Sequence, residues 1–248
     1  METSVNTIEK EDKRIPEYFT QYDIYAAREQ RGLLLDITKK YDAEYFWNDL
    51  GEAFFKKFEK QEHVQNHIAW ILDRLRVVKP KTLLDVGCGF GRVLPFLLNA
   101  GVIESAHGVD IANNILELSK KYLEPSNKKL KDKDGKEITP PDFRDKITFQ
   151  LSDVRKLDLE SNSYDCVLTC ELLQHLPPED ISQACLELTR VTKKSIICIE
   201  RWAFPGEHAE PHLWSHNLVD EFKKLGLEIK QAAGIGSGVQ GLVVFKRG

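Results

Sequence analysis

No apolar run in this chain approaches the roughly 20 residues that a bilayer-spanning helix requires, so no membrane span is expected. A charge excess of either sign is also missing. The 35 basic and 39 acidic residues leave a net charge of −4, which weighs against a nucleic-acid or anionic-membrane partner while leaving room for a local basic face. Cysteine pairs are lacking too. The five cysteines (Cys88, Cys166, Cys170, Cys185 and Cys198) are an odd number and form no C-x-x-C, which argues against zinc and disulfides and for a reducing, cytoplasmic setting. The opening METSVNTIEKEDKRI has neither the apolar stretch of a secretory signal nor the Arg-rich bias of a transit peptide. Residues 1–15 are expected to be a flexible tail. What is present is 248 residues at 42% apolar and 30% charged, a balance that fits a globular chain with a large core.

Prolines are absent between Pro16 and Pro80, and aromatics recur there at helical spacing (Tyr18, Tyr22, Tyr25, Tyr41, Tyr45, then Phe54, Phe55, Phe58). Residues 16–79 are therefore expected to form an N-terminal helical cap. Its last helix, over 61–78, carries Val64, Ile68, Ile71, Leu72 and Leu75 on one stripe and stops at Lys79-Pro80. Beyond Pro80 short apolar runs alternate with helical patterns. Strands are predicted at 82–86, 106–111, 146–151, 164–170 and 195–200, with helices at 92–99, 113–122, 181–191 and 218–225. Two further strands, 228–232 and 238–245, follow each other without a helix. Such alternation predicts an α/β fold: a seven-stranded, mostly parallel sheet with helices on both faces, an antiparallel last strand and the helical lid. The charged stretch 124–145 reads as a solvated insertion, with Asp134-Gly135 as a hairpin turn. Its DKDG string does not meet the frame of a calcium loop, whose first and twelfth ligands would fall on Leu130 and Pro141.

The chemistry centres on LLDVGCGFGR, residues 83–92, which follows a strand and opens a helix. Gly87, Gly89 and Gly91 allow a tight turn and close approach of a ligand to the main chain. The spacing G-x-G-x-G departs from the dinucleotide fingerprint G-x-G-x-x-G. Asp85, at the tip of the strand, is a poor neighbour for phosphates and a good one for a cation. Asp110 ends the second strand, where an acid can hold a ribose diol, and Asp153 ends the third. Three carboxylates at successive strand ends describe a pocket for a neutral nucleoside that carries a positive group.

These motifs resemble those of the class I, Rossmann-like S-adenosylmethionine-dependent methyltransferases, in their small-molecule, type 11 branch. The match runs through LLDVGCGFG, HGVDIANN, LSDVRKLD and YDCVLTCELLQHL, roughly residues 81–170 and more loosely to the C-terminus. The resemblance implies that residues 80–248 are the methyltransferase core and that S-adenosylmethionine is the cofactor. It places Gly87, Cys88, Gly89 and Gly91 along the methionine and ribose portion, and Asp110 with Ile111 at the ribose. It puts Asp153 and the main chain of Val154 at the adenine, and Asp85 with the carbonyls around Cys170 near the ammonium. Some quinone-pathway O-methyltransferases carry a metal-binding E-x-x-E-H at the position of ELLQH (Glu171 to His175). Gln174 stands here in place of the second acid, and no metal is expected.

Methyl transfer from a sulfonium is an in-line displacement, and a base is needed only where the acceptor must lose a proton. His175 and Glu171 are the candidate catalytic groups, against the reading of His175 as a ring packed in its turn. In RWAFPGEHAEPHLWSHN, residues 201–217, His208, His212 and His216 recur every fourth residue. Pro205, Gly206 and Pro211 speak against one helix, so a loop after the fifth strand is expected, with His212 and Trp214 as acceptor contacts. Tyr22 and Trp47 are candidates to close the cap over the acceptor. A small molecule is the expected acceptor. An RNA or protein methyltransferase, a nucleoside-binding module without catalysis and a nicotinamide oxidoreductase are the competing readings.

Overall fold

The computed structural model describes residues 42–58, 65–124, 130–131, 137–138, 141–201, 208–210, 213–236 and 238–246. All but Asp42 lie in one compact unit, Ala43–Gly248. Two helices lead in, α1 (Ala43–Phe58) and α2 (Gln65–Val78). They belong to the same compact unit as the sheet. Helix α2 ends as its sequence predicts. Lys79 takes the left-handed conformation at φ 51° and donates its N–H to the carbonyl of Leu75 at 2.7 Å. Pro80, which cannot extend a helix, follows.

Then come β1 (Thr82–Val86), α3 (Leu94–Asn99), β2 (Ser105–Asp110), α4 (Asn113–Leu123) and the short strands β3 (Leu130–Lys131) and β4 (Glu137–Ile138). Next are β5 (Ile147–Leu151), β6 (Tyr164–Cys170), a 3₁₀ turn at Leu173–His175, α5 (Ile181–Val191) and β7 (Thr192–Arg201). The chain finishes with β8 (His208–Glu210), β9 (Leu213–Trp214), α6 (Leu218–Lys224), β10 (Glu228–Gly236) and β11 (Val239–Phe245). Helix α3 starts two residues later than expected because Gly91, Arg92 and Val93 form turns, and Pro95 suits only the first helical turn. Strands β3 and β4 pair antiparallel on either side of the expected Asp134-Gly135 turn, which itself lies outside the described residues.

The main sheet has seven strands in the order β10-β11-β7-β6-β1-β2-β5. Pairs β1–β2, β1–β6, β2–β5 and β6–β7 are parallel, and β11 runs antiparallel to both of its neighbours. Side chains alternate between two apolar layers, as the period of a strand demands. Leu83, Cys166, Leu168, Ile197 and Ile199 face Ile68, Ile71 and Leu75 of α2 and Leu94 and Leu97 of α3. Leu84, Val86, Val167, Ile196 and Cys198 face Cys185 and Leu188 of α5 and Phe222 of α6. With both faces covered, the central strands read as continuous apolar runs. All five cysteines are free thiols, and those in the strands and α5 serve this core. Helix α2 crosses the sheet very closely at one point. A Cβ on Gly241 in β11 would lie 2.4–2.7 Å from the indole of Trp70.

The chain runs β1, β2, β5 towards one edge and then returns to β6 and β7 on the other side of β1. The strand order therefore reverses at β1, which opens a crevice beyond the carboxyl ends of β1 and β6, where open α/β sheets take ligands. Helix α1 reaches this end by crossing α4. The Asn114 backbone N–H donates to the Asn48 side-chain oxygen at 3.1 Å, and the Asn114 side-chain amide donates to the Asn48 carbonyl at 2.6 Å. Gly51 permits the crossing, since a Cβ there would lie 3.1 Å from that of Asn114.

Candidate active site

The glycine loop leaves β1 at the reversal point. The N–H groups of Gly87 and Cys88 both donate to the carbonyl of Val109, at 2.8 and 3.1 Å, tying the loop to the end of β2. Gly87 and Gly91 need to be glycine on two counts. Their φ angles are 71° and 77°, and a Cβ would meet Leu172 at 2.7 Å or Phe149 at 2.6 Å. Gly89, at φ 58°, turns its N–H to the Asp110 carboxylate at 2.8 Å, and the other oxygen of Asp110 accepts from Ala112 N–H at 2.9 Å. Asp110 is thus aimed by the backbone into the crevice. Burial pushes its carboxyl above the ordinary range, against the N–H bonds of Ala112, Gly89 and Ile111.

Asp85 is 3% exposed. Burial, then the neighbouring charge of Asp110, push it up to about 7, while Arg92 pulls the other way. Cys88, between these two acids, has its thiol pushed up by burial and by both carboxylates. The buried Asp85 and the part-buried Asp110 gather acidic groups at the loop, with Arg92 as a nearby cation. The donor set fits a cationic nucleoside and not a pyrophosphate.

Asp153 follows β5 and is half-buried. Its oxygens accept from the Arg155 guanidinium at 2.6–3.0 Å and from the Arg155 N–H at 2.8 Å. Burial raises its carboxyl, but these bonds outweigh burial and hold it below the ordinary range. Arg155 also reaches Asp180 at 2.9 Å. The side chain of Val154 is buried in the layer beneath α5, so only its main chain is placed towards the crevice loops. Ile111 lies part-exposed between Asp110 and Ala112.

At the end of β6, Cys170 is part-exposed and Glu171 adopts φ 59°, with its N–H on the carbonyl of Ile199 at 2.7 Å. A left-handed conformation at a non-glycine residue stores strain at a functional edge. The Glu171 carboxylate meets Arg92 at 3.4 Å. Arg92, almost buried and next to the last loop glycine, and His67 of α2, whose ring nitrogen lies 4.0 Å from the Cys170 sulfur, were not singled out from the sequence. The arginine at the end of GFGR was a signal available for the first. Nothing local marks His67, because a long-range helix crossing brings it there.

His175 closes the 3₁₀ turn and is 8% exposed. The Trp47 ring of α1 packs edge-on against its imidazole, with centroids 4.8 Å apart and planes at 77°. The candidate lid residue and the candidate base therefore touch. Glu200, at the end of β7, lies under this turn. It accepts from the N–H of Leu172 at 3.4 Å and of Gln174 at 3.3 Å. Burial pushes Glu200 up to about 7 although such N–H bonds favour its ionised form. The sequence gives no hint of it, since SIICIE reads as a strand end.

Trp214 lies half-buried in β9, which pairs with β8 to make the segment after β7 a hairpin rather than a helix. His216 donates from Nε2 to the carbonyl of Leu176 at 3.0 Å and so anchors the turn. Tyr22 and His212 lie outside the described residues, as does the side chain of His208. Among the described residues, no cluster of three or more His, Cys, Asp or Glu is placed to hold a metal. No described helix is long and apolar enough to cross a membrane.

A doubly wound sheet, reversed at β1 and carrying a left-handed glycine loop between two acids, is the fold of the Rossmann-like methyltransferases. Similarity to known proteins narrows this further. Residues 84–199, from β1 to β7, match a family described as "Methyltransferase domain". The chain is 25% identical over 150 residues to the ubiquinone biosynthesis O-methyltransferase of Coxiella burnetii, covering 60% of this chain and 53% of that one. It is 28% identical over 152 residues to the protein of that name from Glaesserella parasuis, covering 60% and 56%. The chain thus spans about half the length of the curated relatives it matches. The magnesium protoporphyrin IX methyltransferase of Synechocystis PCC 6803, solved with bound SAM, superposes with a TM-score of 0.59 at 16% identity, over 84% of this chain and 99% of that one.

Proposed function

We propose that the protein is an S-adenosylmethionine-dependent methyltransferase acting on O, N or C of a small cytoplasmic acceptor. The observation that carries the reading is the pair of acids, the buried Asp85 and the part-buried Asp110, held against a left-handed glycine loop at the reversal of the sheet. Such an acidic site favours a cationic ligand, and S-adenosylmethionine supplies a cation together with a methyl group on a good leaving group. Asp110 holds the ribose hydroxyls, Asp85 faces the ammonium, and Asp153 with the main chain of Val154 receives the adenine. Gly87, Cys88, Gly89 and Gly91 let the main chain approach, and Ile111 and Cys170 complete the walls.

The crevice then orients the acceptor in line with the methyl group and excludes water, and this orientation supplies much of the acceleration. The methyl passes to the acceptor, sulfur keeps the bonding pair, and any proton the acceptor sheds goes to a nearby group or to water. Trp47 and His175 form the acceptor side, with Trp214 as a further contact and Glu171 as a second group able to take a proton. The relatives named for ubiquinone biosynthesis are O-methyltransferases, which supports a small acceptor.

The test is a thermal melt with S-adenosylhomocysteine, run beside NAD⁺ and NADP⁺. A ligand at 100 times its Kd adds about 2.7 kcal/mol, or about 5–10 °C for a domain of this size. The expected result is a shift with the homocysteine compound alone, lost in Asp110→Ala. A shift only with a nicotinamide nucleotide would overturn the reading.

A further inference from the structure

The Gln174 side chain bridges two elements. Its amide oxygen accepts from the backbone N–H of Arg201 at the end of β7, at 3.0 Å. Its amide nitrogen lies 3.4 Å from Nε2 of His175. An N–H can only donate, so the amide oxygen must face Arg201 and the NH₂ must face the imidazole. An NH₂ in turn needs an acceptor, which Nε2 provides only as a bare lone pair. The proton of a neutral His175 ring then sits on Nδ1, since the bond made by one ring nitrogen fixes the state of the other.

We propose that Gln174 is a positioning residue that holds His175 as the Nδ1–H tautomer and makes it a weak base. To take a proton at Nε2, the ring must break from the Gln174 amide. A flip of that amide does not rescue the contact, because it would set the NH₂ against the N–H of Arg201. Glu200 stiffens the arrangement by holding the N–H groups of Leu172 and Gln174, and Trp47 fixes the ring from the other side. Among the described residues, the charged and titratable groups around the turn include Glu200 and Arg201 from β7, Glu171 with its partner Arg92 at the end of β6, and His216 beyond β9, while the Trp47 ring of α1 faces the imidazole.

The consequence for the reaction rests on the methyltransferase reading. A weak base suits an acceptor whose nucleophile is ready without the loss of a tightly held proton, namely an amine or an acidic phenol or enol. An aliphatic alcohol is the class it disfavours.

The test needs no cofactor and no acceptor. Long-range ¹H–¹⁵N correlation spectra of the ¹⁵N-labelled chain between pH 5 and 9 report the tautomer and charge of each of the seven histidines. His175 is assigned by the signal lost in His175→Asn. The expected wild-type signal is the Nδ1–H form. In Gln174→Leu the ring should move to the Nε2–H form that a free histidine side chain prefers. In Gln174→Glu a carboxylate can accept both from Arg201 and from a charged ring, so charging should occur about one pH unit or more higher. A wild-type ring in the Nε2–H form would overturn the proposal. So would a tautomer and titration unchanged in Gln174→Leu. Should the leucine variant fail to fold, an unshifted titration in Gln174→Glu is decisive. A merely structural glutamine would change the melting temperature and leave the tautomer alone. Failure of the cofactor melt would sink the methyltransferase reading without touching this result.

Discussion

Asp85→Asn is expected to stabilise the ligand-free protein in a pH-dependent way. Burial first, and Asp110 second, push the Asp85 carboxyl up to about 7, from the 3.8 of an ordinary aspartate. A raised folded-state pKa means that the native state binds the proton more tightly than the unfolded chain does. The resulting stability is fully present below pH 4 and is lost as pH rises towards 7, at about 1.4 kcal/mol per pH unit. Between pH 5 and pH 8 the wild type therefore gives up about 2.7 kcal/mol through this one group. An asparagine of nearly the same shape carries no such proton, so its stability should lack this part of the slope. Urea unfolding at the two pH values measures the difference directly. The variant should be more stable than wild type by about 1.5 kcal/mol at pH 5 and by about 4 kcal/mol at pH 8, the gap widening by about 2.7 kcal/mol. Equal or lower stability of Asp85→Asn at pH 8 would refute the argument that the acid is buried at a cost. The same variant should bind S-adenosylhomocysteine more weakly, since the negative charge facing the ammonium is gone.

Two further substitutions separate packing from the site. Gly241→Ala places a methyl 2.4–2.7 Å from the Trp70 indole, backed by β11 on one side and α2 on the other. It should cost about 1–3 kcal/mol and lower the melting temperature by several degrees, and an unchanged melt would show that α2 lifts off the sheet freely. Trp47→Ala removes the edge contact to His175, worth about 0.5–1.5 kcal/mol beyond its area. It should leave the shift caused by S-adenosylhomocysteine intact while reducing methyl transfer once an acceptor is found, and loss of the cofactor shift would move Trp47 to the donor side.

Much of the fold is written locally. Residues 181–191 read as a helix and form one with those bounds, because Ala184, Cys185, Leu188 and Val191 make a 3.6-residue stripe that the sheet then covers. The antiparallel strand was legible because 228–232 and 238–245 lack the crossover helix that parallel strands require. The ends of strands were less so. Strand β7 runs from Thr192 to Arg201 instead of 195–200, since Thr192 pairs with Tyr164 of β6 and Arg201 with Val239 of β11 once those strands lie beside it. The placement of the proposed donor residues was legible for a similar reason: Asp85, Gly87, Gly89, Gly91, Asp110 and Asp153 lie at or just after strand ends.

The contacts around His175 were not, and the residues that make them show why. Glu200 ends a strand of ordinary apolar texture, and only the fold brings it beneath Leu172 and Gln174, which stand 28 and 26 residues earlier. Trp47 reaches His175 across 128 positions because Asn48 and Gly51 set the crossing of α1 over α4. Gln174 reads as a missing acid when compared residue by residue, yet its amide does what an acid there would not. With Arg201 N–H on its oxygen, its nitrogen can only donate to His175. A glutamate would accept from both and favour a charged ring. One atom in this turn therefore decides whether the neighbouring histidine starts as a neutral ring or as an imidazolium, and that choice exists only once β7 lies beside the turn.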